Sequence, residues 1–321
     1  MRINKAIKLR IVFMGTSSFA EKILSAMLDE KYNILAVFTQ PDKKSGRSGD
    51  IAQGPVKILA EKNKISAIQP EKFDEKTVSD LKELNPDLII VASYGKILPK
   101  KALEIPGFGS INVHASLLPK FRGASPIQNA LLSGEAETGI TIMLMDEGMD
   151  TGDILLQEKI SISATDTADI LTEKLAKKGA EKLLEAIPLW IEKKISPKKQ
   201  DGKRATLCQL IERSDGKIIW DNEAQNIFNQ YRAFRPWPGI FSFWDNNNST
   251  KRIKLNKISL QKINPQSSHR LGEVFQIGEE IGVQTSNGII ILNEIQLEGK
   301  NSVSAKEFSN GYPEFIGSIL K

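Results

Sequence analysis

The sequence predicts an α/β chain of two domains, a mostly parallel sheet covered by helices and then a small β-rich barrel. Three observations predict it. A length of 321 residues exceeds what one compact core usually holds, so two domains are expected. Through the first half, short runs rich in β-branched residues alternate with helical patterns, as a parallel sheet wrapped on both faces requires. Towards the C-terminus the pattern turns into alternating runs broken by turn signals, which suits an antiparallel barrel.

Taken in order, residues 9–14 read as the first strand and 19–28 as the first helix. The turn between them, "FMGTSSFA", has Gly15 but not the other glycines of a G-x-G-x-x-G loop, so a nicotinamide enzyme is disfavoured. Its helix amides could receive an anion, although capping by Ser17 or Ser18 is the simpler role. A strand at 34–39 is followed by the polar stretch "QPDKKSGRSGDIAQGP", residues 40–55. Such connections usually take about 2–6 residues. A long insertion at a strand's carboxyl end either is a surface loop or lies where open α/β sheets bind ligands. Helices at 56–61 and 76–84 flank a strand at 65–69. The run "LIIVAS", within 88–93, is apolar on both faces, as a central strand should be. Strands at 109–113 and 139–145 complete the sheet, and an amphipathic helix over 167–192 closes the unit.

Between 193 and 204 lie Lys193, Lys194, Lys198, Lys199, Lys203 and Arg204 against the single acid Asp201. That local excess equals the whole chain's net charge of +5. It describes either a solvated linker or a linker that touches phosphates. Beyond it come a helix at 222–234, the stretch "RPWPGIFSFW", and alternating runs such as "RIKLNKISL" and "GIIILNEIQL". Asn287-Gly288 between two of these runs marks a hairpin. The expected boundaries are therefore 1–194 for the first domain, 195–211 for the basic linker and 212–321 for the barrel.

No apolar run approaches the roughly 18 residues of a membrane helix, and "MRINKAIKLR" lacks the apolar stretch of a signal peptide. No membrane association is expected. A single cysteine, Cys208, leaves no internal disulfide and no cysteine-clustered metal site, and fits a cytoplasmic location.

The chemistry concentrates in "INVHASLLPKFRGASPIQ", residues 111–128. Asn112 and His114 alternate at the end of a strand, so both side chains leave from one face, at an edge expected to be open to solvent. A second loop after the 139–145 strand carries Asp150 in "EGMDTGDIL". An amide, an imidazole and a carboxylate on adjacent strand ends suggest acyl or formyl transfer. The amide would hold an oxyanion, the imidazole would move a proton, and the carboxylate would orient the imidazole. By spacing alone, His114 fits a packing histidine equally well.

The run "INVHASLLPKFRGASPIQNALLSGEAETGITIMLMDEGMDTGDIL" resembles the signature region of the folate-dependent formyltransferases. The similarity extends through "IVFMGTSSFA", "VFTQPDKKSGR", "PVKILAEKNKI", "VASYGKILPK" and "RAFRPWPG", and so spans nearly the whole chain. It is closest to the branch of that family acting on charged initiator tRNA. The resemblance implies a Rossmann-like catalytic domain, a basic linker and an OB-like tRNA-binding barrel. It implies Asn112, His114 and Asp150 as the catalytic residues. Ser116, Leu117, Leu118 and Pro119 would be the folate-contacting turn, with the bond before the proline cis. Tyr94 and Gly95, with Ile97 and Leu98 nearby, would be the loop beside the pterin pocket. Arg47 would meet the tRNA acceptor end, although the lysines that often follow it are here Ser48, Gly49 and Asp50. Lys198, Lys199 and Lys203 would offer further phosphate contacts. The implied donor is 10-formyltetrahydrofolate, the acceptor is initiator methionyl-tRNA, and the enzyme is a metal-free monomer. Two rivals remain at this level. A sister enzyme could formylate a sugar nucleotide or hydrolyse the same folate, and a non-catalytic RNA-binding module would use only the linker and barrel.

Overall fold

The computed structural model describes residues 8–45, 50–246, 249–261 and 269–321. The chain folds as two units. Met1–Pro126, Ala136–Ile162 and Leu171–Gln209 form the first, and Ile127–Glu135, Ser163–Ile170 and Leu210–Lys321 the second.

In the first unit, β1 (Ile11–Gly15) leads into α1 (Ser18–Asp29). Ser17 is the N-cap, its hydroxyl accepting from Ala20 N, and Phe19, Ile23 and Met27 recur at helical spacing on the buried face. Gly15 cannot be replaced there, since a Cβ would stand 2.6 Å from Ala20 Cβ and 2.9 Å from Ala92 O. After β2 (Ile34–Phe38), the long insertion forms a hairpin of β3 (Lys43–Ser45) and β4 (Asp50–Ala52). Arg47 lies outside the described residues. The chain continues through α2 (Pro55–Lys62), β5 (Ser66–Ile68), α3 (Glu75–Leu84), β6 (Leu88–Ala92), α4 (Lys100–Leu103) and β7 (Ser110–His114). Then come the short β8 (Arg122–Gly123), β9 (Glu137–Leu144), β10 (Ile154–Ser161), α6 (Ala168–Ile191) from Leu171 onward and β11 (Leu207–Cys208), while α5 (Pro126–Leu132), all but its first residue, belongs to the second unit.

The seven-stranded sheet runs β10-β9-β7-β6-β1-β2-β5. From β5 to β7 all neighbours are parallel, and β6 is buried along its whole length, as a strand covered on both faces must be. The sequence suggested that the loop carrying Asp150 would leave a strand end adjacent to that of β7. The structure corrects this: β9 runs antiparallel to β7, with His114 opposite Thr141 and Ile111 opposite Leu144. The β9 carboxyl end therefore lies at the start of β7, and the following loop has to fold back to reach Asn112 and His114. The edge strand β10, absent from the strands expected above, pairs antiparallel with β9.

Beyond Leu210 the second unit comprises α7 (Ala224–Ala233), β12 (Ile240–Asn246), β13 (Ser249–Gln261), β14 (Val274–Ile277), β15 (Glu280–Gln284), β16 (Ile289–Leu297), β17 (Ser302–Ser304) and α8 (Ala305–Gly311). The path is β12-β13-β16-β15-β14, with β17 on β16. The last residues close it into a barrel. Val274 N donates to Ser318 O at 2.9 Å, Leu320 N to Gly272 O at 2.8 Å, and Lys321 N to Phe243 O at 2.9 Å. This tail therefore bridges β14 to β12. Trp244 is fully buried, edge-on to Phe308, Tyr312 and Phe315 at 5.3–5.6 Å. The Asn287-Gly288 hairpin joins β15 to β16, with Gly288 at φ +92°. Among the described residues no helix is long and apolar enough to cross a membrane.

Candidate active site

β7 supplies two polar side chains to one face. Asn112 is 9% and His114 6% exposed, on a strand paired along both edges, to β6 and β9. The open strand edge expected from the sequence is instead a buried polar pair, and buried polar groups must find partners. They share one. Asn112 Nδ2 donates to Asp150 Oδ1 at 3.2 Å, and His114 Nδ1 stands 3.6 Å from Asp150 Oδ2. Gly123 N donates to that same Oδ2 at 2.8 Å.

The loop after β9 brings Asp150 there by turning back on itself. Asp146 Oδ1 accepts from Gly148 N at 3.1 Å and from Thr151 Oγ1 at 2.6 Å, and Leu144 N donates to Asp153 O at 2.9 Å to close the loop's base. Asp150 itself has φ +53°, a left-handed conformation that aspartate tolerates better than most residues. Phe121, which meets His114, and Gly123, which meets Asp150, also have positive φ. Such clustering is characteristic of backbones shaped for a site.

The tautomer of His114 follows from its second nitrogen. Nε2 lies 2.9 Å from Phe121 O, and a carbonyl can only accept, so Nε2 carries a hydrogen. In the neutral ring Nδ1 is then a bare lone pair facing the Asp150 carboxylate. At 3.6 Å the two are too far apart for a hydrogen bond. Their geometry suits a proton arriving at Nδ1 from elsewhere, which the carboxylate would then stabilise.

The turn after β7 is braced from the side by β9 and β10. The Leu118–Pro119 bond is cis, as expected. Thr141 Oγ1 donates to Ser116 O at 2.7 Å while accepting from Leu118 N at 3.1 Å and Gln157 Nε2 at 2.9 Å. Gln157 Nε2 also donates to Leu118 O at 2.8 Å, and Ser116 Oγ to Lys120 O at 2.6 Å. Ser116 and Leu118 are buried, whereas Leu117 and Pro119 keep partial exposure.

The loop at residues 93–98 is held from β1 and β2. Thr16 Oγ1 donates to Tyr94 O at 3.2 Å, and Gln40 Nε2 to Tyr94 O at 3.0 Å and Gly95 O at 3.3 Å. The Tyr94 ring lies in the core with Val12, Met14 and Phe38. Burial pushes its hydroxyl up to about 12, so it is no acid or base at neutral pH. Leu98 joins the same core, while Ile97 beside it is 78% exposed.

Behind the site lies the segment read from the sequence as a linker. β11 pairs with β8, Thr206 Oγ1 accepts from Phe121 N at 2.8 Å, and Cys208 Sγ donates to Arg122 O at 3.2 Å. A Cβ on Gly123 would run into the Cys208 carbonyl. Burial pushes the Cys208 thiol up, and the nearby Asp150 charge adds to this, so it is no ready nucleophile. Lys198, Lys199 and Lys203 are exposed on this segment. Thr141, Gln157, Gln200 and Thr206 went unnoticed in the sequence, which offers no motif for them. Among the described residues, no three His, Cys, Asp or Glu side chains gather as a metal ligand set.

Comparison with known proteins agrees with this fold. Residues 9–187 match the family described as formyl transferase, and residues 210–313 match the formyl transferase C-terminal domain. The chain is 44% identical over 317 residues to the methionyl-tRNA formyltransferase of Caldicellulosiruptor saccharolyticus, covering 97% of this chain and 99% of that one. Its identity to the methionyl-tRNA formyltransferase of Caldanaerobacter subterraneus subsp. tengcongensis is 43%, covering 98% and 100%. Among solved structures, the fold superposes on WlaRD, a sugar 3N-formyl transferase crystallised with dTDP and 5-N-formyl-THF. That match has a TM-score of 0.63 at 22% identity, over 91% of this chain and 99% of that one. With both domains matched and its relatives aligned nearly end to end, the chain belongs to the formyl transferase family, in its methionyl-tRNA formyltransferase branch.

Proposed function

We propose that the chain transfers the formyl group of 10-formyltetrahydrofolate to the α-amino group of initiator methionyl-tRNA, with Asn112, His114 and Asp150 around the reacting carbon. What supports this most is one carboxylate: Asp150 meets the Asn112 amide at 3.2 Å and lies 3.6 Å from the imidazole Nδ1 of His114. A charged aspartate, an amide donor and a ring nitrogen with a free lone pair thus share one small space.

The acceptor amine attacks in its neutral form, and free α-amino groups titrate near pH 7.7–8.0. Its lone pair forms the new C–N bond while the carbonyl π pair moves to oxygen. One Asn112 amide hydrogen is committed to Asp150, leaving the other to donate to that oxyanion. The attacking nitrogen, now an ammonium, passes a proton to His114 Nδ1, and Asp150 stabilises the resulting imidazolium. The imidazolium returns the proton to N10 of the folate as the C–N10 bond breaks and the oxyanion collapses. The products are formylated amine and tetrahydrofolate, with no covalent enzyme intermediate.

Ser116, Leu117, Leu118 and Pro119, together with the Tyr94–Gly95 backbone, form the folate side of this proposal. Burial of the Tyr94 ring limits that residue's part to its backbone. Lys198, Lys199 and Lys203 are assigned to tRNA phosphates, and so is Arg47 by resemblance. The barrel is assigned to the body of the tRNA, and the working form to a cytoplasmic monomer. Formyl transfer from the folate donor is measured with methionyl-tRNA, free methionine and a sugar nucleotide as competing acceptors. Methionyl-tRNA alone is expected to react appreciably, because remote binding energy is needed to position the amine. Comparable turnover of free methionine would assign the chain to small-molecule chemistry.

A further inference from the structure

We propose that Gln200 is a positioning residue for Asp150, bracing its backbone directly and its carboxylate through Arg122 and Gly123, and tying it to the basic segment at residues 198–204. The proposal rests on the role given to Asp150 above. The segment is anchored first by its backbone: Ile154 N donates to Lys198 O at 2.8 Å and Lys198 N to Ile154 O at 2.9 Å. This sets Gln200 against the turn that carries Asp150.

The amide of Gln200 is then used completely. Nε2 donates to Asp150 O at 2.8 Å and to Gly152 O at 2.7 Å. Oε1 accepts from Arg122 Nε at 3.1 Å and from Arg122 Nη2 at 2.7 Å. Two donors and two acceptor sites are all an amide side chain offers.

Both ends of this brace converge on one carboxylate. The Nε2 end holds the backbone of Asp150, whose φ of +53° is a conformation that needs support from its surroundings. The Oε1 end holds Arg122, and its neighbour Gly123 donates its N–H to Asp150 Oδ2 at 2.8 Å. Only a side chain that both donates and accepts can span the two, so neither Glu nor Lys can stand in for Gln here. Lys198, Lys199 and Lys203 project from the same short segment into solvent. The lysines assigned to tRNA phosphates and the brace on Asp150 thus share one short stretch of chain.

Four variants are compared with the parent by steady-state kinetics: Gln200→Ala, Gln200→Glu, Asp150→Ala and the Asp150→Ala/Gln200→Ala double variant. Gln200→Ala is expected to lower kcat by about 10- to 100-fold, the scale of a small misplacement of a reacting group. KM for the folate donor should stay within about twofold, as for a group acting only on the chemical step. Gln200→Glu keeps the acceptor for Arg122, and so the fold of the segment, but turns two donors into an oxygen facing two carbonyls. It should lose at least as much as Gln200→Ala with a near-parental melting temperature. The double variant should be no slower than Asp150→Ala alone, since Gln200 acts through that residue. A parent that formylates no methionyl-tRNA overturns the functional reading beneath the proposal. An active parent whose Gln200→Glu variant keeps its kcat, or whose double variant loses the product of the two single losses, overturns the role of Gln200 alone.

Discussion

Asp150 accepts from Asn112 and Gly123 and lies beside the His114 ring, so the three side chains form one unit and their substitutions should behave as one. Asn112→Ala, His114→Ala and Asp150→Ala are each expected to cut kcat by roughly 10²-fold or more, the scale of an oxyanion donor or proton-transfer group. Pairwise combinations should lose far less than the product of the singles. Because the cluster is buried, stability also responds. Asp150→Ala leaves the Asn112 amide and the Gly123 N–H without their acceptor, at a cost of about 1–3 kcal/mol. If His114→Ala melted much lower yet kept near-parental kcat, the histidine would be a packing residue and the mechanism wrong. Tyr94 gives a separate test at alkaline pH. Its hydroxyl is buried without a partner and ionises only at about 12 when folded, against 10.0 for an ordinary tyrosine. Unfolded chains therefore ionise first, and the parent loses stability as pH rises from 10.0 towards about 12. Tyr94→Phe should lack that loss and melt no lower than the parent at pH 7, since it removes a buried unpaired hydroxyl. Thermal melts of the two proteins across this range that ran parallel would remove the burial argument.

The Asn112–His114 pair was legible because a strand's period of two puts i and i+2 on one face, whatever the partners. The element that completes it was less so. An apolar run such as "GITIML" reads as a buried strand in either direction, so nothing in it announced that β9 would run antiparallel to β7. The alternating "ILLQEKIS" of β10, which follows the Asp150 loop and carries Gln157, fits an edge strand with one open face. Thr141, Gln200 and Thr206 brace residues 23–85 positions away in sequence, and hydrogen bonds of that range leave no local periodicity to detect. The basic segment shows the same limit. Its charge was plain in the sequence, but not the backbone pairing that fastens Lys198 to Ile154. Changing Lys198, Lys199 and Lys203 together to Ala is expected to weaken tRNA binding and to lower its log–log salt slope by about 2, near the increment of three lost phosphate contacts. Folate binding should stay as in the parent. An unchanged slope, measured by filter binding across a salt series, would return these lysines to a solvated surface.

At the scale of the whole molecule, the barrel's share of tRNA binding is expected to be separable from the chemistry, because the two draw on different residues. The groups proposed to react and their braces all belong to the first unit. The barrel offers a different kind of surface. Arg252 lies 3.5 Å over the Phe241 ring, Lys217 lies 5.6 Å over Phe243, the two rings meet edge-on, and Trp237 is 51% exposed. Phe241 is itself buried, so what this face offers a polyanion is charge, and Lys217 and Lys254 are exposed where their charge can be reversed. Contacts made equally in ground and transition states change KM and leave kcat alone. Lys217→Glu/Lys254→Glu is therefore expected to raise KM for methionyl-tRNA by about 10-fold, some 1.4 kcal/mol of uniform binding, with kcat at saturation and the folate KM as in the parent. The increase should shrink as salt rises, because repulsion between exposed charges is screened. His114→Ala should show the opposite split, a large loss of kcat with little change in the KM for tRNA. Were the barrel variant to lose kcat at saturating tRNA while its KM stayed constant, the barrel would have to shape the transition state itself, and its part in binding would not be separable from the chemistry.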